Sequence, residues 1–407
     1  MAMRDGWSDK CLGDVGECKI GLTYSPDDVV ESEGTLVLRS SNIRDGRLAY
    51  DDNVYVSCKV PDGAIVREGD ILICVRNGSR ALIGKAARID AQADGSAFGA
   101  FMAVFRSQMN DYVFQLLNTE QFVRQVHRSL GATINQITNA DLKSFRFPFP
   151  PVPEQRRISE LLRTWDKALE KLSALRAAKE KRLVGLRAAL LFGELRLNGQ
   201  RRNWVPTRLG AVTHELTKRN GAKGLGRDFV MGVTKAEGVV PMREQTIAGD
   251  ISRYKRLPPR AFAYNPMRIN VGSIAMNERE DEVLVSPDYV VFACNADGLD
   301  PDYLDHLRKT SWWAHYINSG GSGSVRQRTY YDDLAALKLP LPELDEQKAI
   351  AAVLNTARAD LAATEREIEA VTLQKRGLMQ KLLTGEWRVP LAPSEPSAAT
   401  EETEHAG

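Results

Sequence analysis

A chain of 407 residues, 43% hydrophobic and 27% charged, has the composition of a folded protein and the length of two or three domains. No apolar run approaches the ~18 residues of a membrane span, and Met1–Trp7 holds no apolar signal core, so a cytoplasmic location is expected. Five cysteines (Cys11, Cys18, Cys58, Cys74, Cys294) without a CxxC pair, and five scattered histidines without HExxH, exclude a disulfide framework and a zinc-site pattern.

The formal net charge is only +2, but the tail after Pro390 carries four acids and no Lys or Arg, which leaves +6 on residues 1–390. A nucleic-acid partner would have to be held by local clusters rather than by a global field.

In chain order, residues 7–150 read as a mixed α/β domain. Short β-type runs (Thr35–Leu38, Val54–Val60, Ile71–Val75, Ala100–Phe105) alternate with Gly, Asn and Asp turns. A helix is predicted over Asp111–Arg128. A Pro-rich stop then leads into Glu154–Leu191, which has no Pro and one Gly. Apolar residues there recur at 158, 162, 165, 169 and 172, then at 183, 186 and 190, a heptad seam broken at Arg176 and Lys179. A helix of that length measures about 57 Å. Residues 204–342 repeat the first pattern, with a helix predicted over Asp302–Asn318. A second heptad helix follows, and residues 391–407 have the Pro/Ser/Ala/Thr/Glu composition of a segment that cannot bury a core.

The chain is a tandem duplication. Phe147-Pro148-Phe149-Pro150-Pro151-Val152-Pro153-Glu154-Gln155 matches Leu339-Pro340-Leu341-Pro342-Glu343-Leu344-Asp345-Glu346-Gln347. The offset of 192 then runs without a gap through Leu190-Leu191 with Leu382-Leu383 to Gly193-Glu194-x-Arg196 with Gly385-Glu386-x-Arg388. Both domains open alike, Trp7-x4-Leu12-Gly13 against Trp204-x4-Leu209-Gly210, and their interiors diverge. One exposed apolar stripe would be unstable, and the repeat supplies a second, so the helices are expected to pair within the molecule; self-association is the alternative.

These junctions, helix endings and alternating domains resemble the specificity subunits of type I restriction-modification systems, over about residues 7–390. The resemblance implies an α+β fold: two target-recognition domains alternating with two long helices paired as an antiparallel coiled coil. The expected divisions are a first recognition domain (1–153), a spacer helix (154–200), a second recognition domain (201–345), a second helix (346–390) and an acidic tail (391–407). It also implies a split double-stranded DNA target, helices that act as a ruler, and docking of two methyltransferase subunits, with restriction subunits as further partners. S-adenosylmethionine would then sit on the methyltransferase, and this chain would bind no cofactor and no metal.

Reading bases requires Arg, Lys, Asn, Gln or Ser on loops, because these match base-edge donors and acceptors; phosphates require positive charge and amides. The first domain offers Arg39-Ser40-Ser41-Asn42-Ile43-Arg44, Arg76-Asn77-Gly78-Ser79-Arg80 and Gly131-Ala132-Thr133-Ile134-Asn135-Gln136. The second offers Lys218-Arg219-Asn220, Arg253-Tyr254-Lys255-Arg256 and Gly323-Ser324-Val325-Arg326-Gln327-Arg328. Glu154-Gln155 and Glu346-Gln347 open their helices, where acid complements the dipole, and the resemblance adds a subunit-interface role.

Catalytic readings fail on the residues. Asn265-Pro266-Met267-Arg268 lacks the second Pro and the ring of an amino-methyltransferase loop, and no GxxxxGK[ST] exists. Pro301-Asp302 with Glu346-Gln347-Lys348 could mimic a nuclease, but Glu346 aligns with Glu154, where Arg156 replaces the Lys. Gly320-Gly321-Ser322-Gly323-Ser324 lacks the last Gly of a nucleophile elbow. A coiled-coil scaffold, and the recognition module of another DNA-modification system, remain as alternatives.

Overall fold

The structure is a computed structural model, and it describes residues 6–131, 135–197, 203–222, 224–319 and 328–390. Its contacts divide the chain into two compact units, residues 1–171 with 368–407 and residues 172–367. Each long helix therefore contributes one half to each unit.

In the first unit a four-stranded antiparallel sheet runs in the order Glu17–Ile20, Met102–Arg106, Ile71–Cys74, Ala86–Arg88. Ile71–Cys74 is buried along its whole length, as a run of four apolar residues demands of a strand covered on both faces. A second sheet places Thr35–Leu38 between Ala97–Phe98 and Tyr55–Val56, with Val29–Val30 outside. Ser8–Cys11 pairs antiparallel with Arg146–Phe149, so the start of the domain is tied to the strand that enters the first long helix.

The second unit repeats this frame. Its sheet runs Thr213–Glu215, Val290–Cys294, Phe262–Tyr264, Ile274–Met276, again antiparallel throughout, and Val205–Arg208 pairs with Lys338–Leu341 as the closing strand. Two further antiparallel pairs, the hairpin Met231–Thr234 with Gly238–Pro241 and the longer-range pair Lys255–Leu257 with Val283–Val285, complete the unit's strands.

The single helix predicted over Asp111–Arg128 is two, Asn110–Leu116 and Glu120–Ser129. Apolar spacing continues through the break, but the Thr119 side chain accepts the amide of Phe122 and caps a new helix. The helix predicted over Asp302–Asn318 divides in the same way into Pro301–Leu307 and Ser311–Ser319, where the Thr310 hydroxyl accepts from the Trp313 amide. The local capping bond overrides the periodicity in both copies.

The long helices run Val152–Leu191 and Leu344–Leu383, 40 residues each. They are antiparallel within each unit: in the first, Asp166 accepts from Lys375 (2.5 Å) while Glu154 faces Arg388; in the second, Lys179 meets Asp360 while Arg196 meets Glu346. Apolar burial concentrates toward the domains, at Ile158, Leu162, Leu382 and Leu383 in the first unit and Leu190, Leu191, Ile350 and Leu354 in the second. The seam break at Lys179 is answered by polarity, since its ammonium donates to Asp360 (2.7 Å) and to the buried Thr364 hydroxyl (2.9 Å). Among the described residues no helix is long and apolar enough to cross a membrane.

Both long helices end alike. Gly193 and Gly385 adopt left-handed φ of 75° and 71°, which glycine reaches without strain. The amides of Leu195 and Trp387 then reach back to Ala189 and Lys381, each at 2.9 Å. A Cβ at Gly385 would come within 3.3 Å of the Trp7 ring, and Trp204 lies over Gly193 in the same way. The Trp and Gly that recur in both repeats are thus packing partners.

Candidate nucleic-acid interface

In the first unit the three loops singled out from sequence meet. Asn77 donates its side-chain amide to the Ser40 hydroxyl (2.9 Å), its backbone amide donates to Asn135 O (3.3 Å), and Asn135 returns a bond to Gly78 O (3.0 Å). Arg76 and Gln136 form a backbone bridge. Arg76, Ser79 and Arg80 are exposed on this patch, and among the described residues no acid pairs with Arg76 or Arg80. Arg39 and Arg44 are exposed or half-exposed beside acids, Asp52 at 3.0 Å and Asp51 at 2.7 Å. Thr133 lies outside the described residues.

Asn42 is a correction. It is fully buried, its oxygen accepts the Arg39 amide, and its nitrogen donates to Ala49 O at 2.9 Å. A side chain engaged on both ends inside the loop has no edge left for a base; it shapes the loop that presents Arg39 and Ser40. Sequence offered no signal for this, because a loop-building Asn and a base-reading Asn look alike.

In the second unit the Lys218 and Arg253 loops lie side by side. Arg256 N donates to Lys218 O (2.9 Å), and Arg219 donates its guanidinium to Arg253 O (2.8 Å). Lys218, Arg219 and Arg253 are exposed. Lys255 and Arg256 are the second correction. Lys255 is mostly buried, donates to Tyr289 O at 2.7 Å, and burial lowers its pKa. Arg256 is held by Glu282 at 2.8 Å. Both stabilise the loop from behind. Arg328 is exposed, and its pKa is raised through its bond to Tyr330. Ser324, Arg326 and Gln327 lie outside the described residues.

The third correction concerns the interface residues. Glu154 and Gln155 are buried, Gln347 is 1% exposed, and Glu346 is largely covered. Gln155 and Gln347 donate to the carbonyls of Pro150 and Pro342, two equivalent bonds at 2.8 and 2.9 Å that fix the Pro-rich turn. Arg196 grips Glu346 with two bonds of 2.6 and 2.8 Å, and Trp204 adds a third at 3.3 Å. These four side chains join a domain to its helices and leave little surface for a second subunit.

The strings that could mimic catalysis have structural roles. The Asn265 side chain accepts the Met267 amide in a local turn, and Asp302 pairs with Arg260. Pro301 opens a helix capped by Asp300, and all five cysteines are free. Among the described residues no cluster of His, Cys, Asp and Glu could hold a metal.

Comparisons with known proteins agree with this architecture. Residues 4–178 match the family model for the type I restriction modification DNA specificity domain. The chain is 25% identical to the type I restriction enzyme StySPI specificity subunit of Salmonella potsdam, over 94% of this chain and 90% of that protein. It is 22% identical, with the same coverage, to the EcoKI specificity subunit of Escherichia coli K12. A crystal structure of a type I restriction-modification S subunit from M. genitalium shares the fold, with a TM-score of 0.60 at 13% identity over 94% of this chain and 96% of that one. Residues 4–178 thus match the DNA specificity domain of type I restriction-modification systems, and nearly the whole chain is similar to specificity subunits of those systems.

Proposed function

We propose that this chain reads a bipartite double-stranded DNA target without performing chemistry, each recognition domain taking one half-site. The observation that carries this reading is the convergence of three loops on one exposed patch that holds Arg76 and Arg80, neither paired with an acid among the described residues, with hydrogen-bonding side chains from Ser40, Asn77 and Asn135 around them. Such a patch supplies base-edge donors and phosphate-binding charge together. Its described residues are Arg39, Ser40, Arg44, Arg76, Asn77, Ser79, Arg80, Asn135 and Gln136, and Thr133 is assigned to the same role from sequence alone. In the second domain Lys218, Arg219, Arg253, Ser324, Arg326, Gln327 and Arg328 take the same part. The two helices set the gap between half-sites and, on their outward faces, dock two methyltransferase subunits that bring S-adenosylmethionine; restriction subunits join that complex, in the cytoplasm.

Purification of the full chain from its host tests this. A methyltransferase should co-purify at two copies per chain, and the complex should methylate DNA that neither component methylates alone. A lone chain that methylates DNA with S-adenosylmethionine would contradict it. Adding four residues after Leu172 lengthens a helix by about 6 Å, so the methylated motif should gain one or two base pairs of spacer, or assembly should fail. Methylation with the original spacer would remove the ruler role.

A further inference from the structure

Phe101 is a large apolar side chain left 56% exposed at the centre of the first unit's loop patch. It is held there by its own backbone: its carbonyl accepts the amides of both Val75 (3.1 Å) and Arg76 (3.0 Å). That double bond brings the start of the Arg76 loop over the turn before Met102–Arg106. The Arg76 guanidinium carbon then lies 4.9 Å from the centre of the Phe101 ring, within the ~6 Å of a cation–π contact. No acid shares the arginine among the described residues, so the ring is the group that orients it.

We propose that Phe101 is a positioning residue for sequence reading: it presents the Arg76 guanidinium as a fixed plane that takes a guanine in the first domain's half-site. The assignment rests on the reading of the patch as a DNA surface. A guanidinium that lies flat on the ring would have one face covered and its N–H edge free to face a base. That edge matches two acceptors in a row, and among base pairs only guanine offers N7 and O6 together in the major groove. A free arginine on a loop would find phosphates as readily; a shelf that fixes its plane favours the base. Gln136, bridged to Arg76 through the backbone, would supply the neighbouring contact.

The test is selection of randomised duplexes by the full chain in its native complex, comparing wild type with Phe101→Leu, Phe101→Tyr and Arg76→Lys. Leu keeps the apolar bulk without the π face, Tyr keeps the face, and Lys keeps the charge without the fork. The wild type should select one guanine in one half-site. Phe101→Leu and Arg76→Lys should each lose discrimination at that position alone, by roughly 5- to 150-fold, and Phe101→Tyr should retain it. Unchanged preference in Phe101→Leu would overturn the proposal, as would a uniform loss on all sequences in Arg76→Lys, which marks a phosphate contact. If the wild type selects no sequence at all, the DNA-reading role itself falls; if it selects one and only the variants fail to alter it, this assignment alone falls.

Discussion

At equivalent places in the two units, the loop surfaces exchange their chemistry. In the first, Ile137 donates its amide to Val75 O at 2.9 Å; in the second, Thr329 donates to Pro266 O at 3.1 Å. The donors align by the offset of 192 and the acceptors by 191, the offset that also relates the strands Ile71–Cys74 and Phe262–Tyr264, so the residues beside them can be compared. Next to Val75 stands Arg76; next to Pro266 stands Met267. Next to Ile137 stands Gln136; next to Thr329 stands Arg328. The strand registers likewise set Phe101 against Asp288. The arginine has crossed the backbone bridge from one loop to the other, and an acid replaces the aromatic shelf. Arg328 also borders a cleft of about 510 Å³ lined by Asp288, Tyr289 and Tyr330. The frame fixes where loops meet and leaves open which loop carries the charge, and on the proposed function that freedom would let one scaffold serve two different half-sites.

The largest expected effect concerns that exchange. Replacing Arg326, Gln327 and Arg328 with Ala should abolish preference at one half-site, each lost bidentate contact weakening it by about 1–3 kcal/mol, and leave the other half-site intact. Selection on randomised DNA reads this directly. Equal loss at both half-sites would break the comparison.

The domain-to-helix clamps differ in tightness. Arg196 holds Glu346 by two short, half-buried bonds, whereas Arg388 stands 3.7 Å from Glu154 and is 57% exposed. Arg196→Ala should cost about 1–3 kcal/mol in urea unfolding, because it strips a partly buried carboxylate. Arg388→Ala should cost less than ~1 kcal/mol. Equal costs would mean that the clamps are energetically the same despite their geometry.

The roots of the two domains also differ, in titration. Gln115, which donates to Asp166, occupies the place of His306, which bonds Asn355 at 2.9 Å and accepts from Arg187. Burial, first, lowers the His306 pKa to about 4 from 6.5; the Asn355 bond opposes and Arg187 reinforces the shift. A histidine held neutral in the fold binds fewer protons than its unfolded counterpart between these values. Its contribution is therefore complete above pH ~6.5 and shrinks as pH falls toward 4. About 2 kcal/mol should be lost at pH 5, and His306→Gln should remove that slope. Hydrogen exchange of the second unit across pH 4–7 reads it, and an unchanged slope in the variant would assign the titration elsewhere.

The smallest effect is at the seam. Lys179→Leu restores the heptad and removes an exposed ion pair, so stability should change by less than ~1 kcal/mol. A larger loss would show that the buried Thr364 hydroxyl depends on that lysine.

Sequence made the frame legible because its signals are long: a gapless offset of 192, two helices of forty residues and paired Pro-x-Pro junctions all average over many residues. The patch was legible as loops and not as side chains. Asn42, Lys255 and Arg256 have the composition of readers, but their partners Ala49, Tyr289 and Glu282 lie 7, 34 and 26 residues away. Burial set by such distant contacts leaves no trace in local pattern. The helix breaks at Thr119 and Thr310 were hidden for the opposite reason, a single capping bond inside an unbroken apolar rhythm. Phe101 read as one more apolar strand residue, and only its carbonyl bonds to the Arg76 loop turn it outward.

On the proposed function, two unlike domains on one frame read two unlike halves of a single DNA target. Mapping methylated bases across the host genome, with the gene intact, deleted, and carrying the Arg326, Gln327 and Arg328 substitutions, tests it most directly. The expected result is a split motif that vanishes on deletion and loses specificity in one half only in the substituted strain. A continuous motif, or a split motif that persists without the gene, would contradict it.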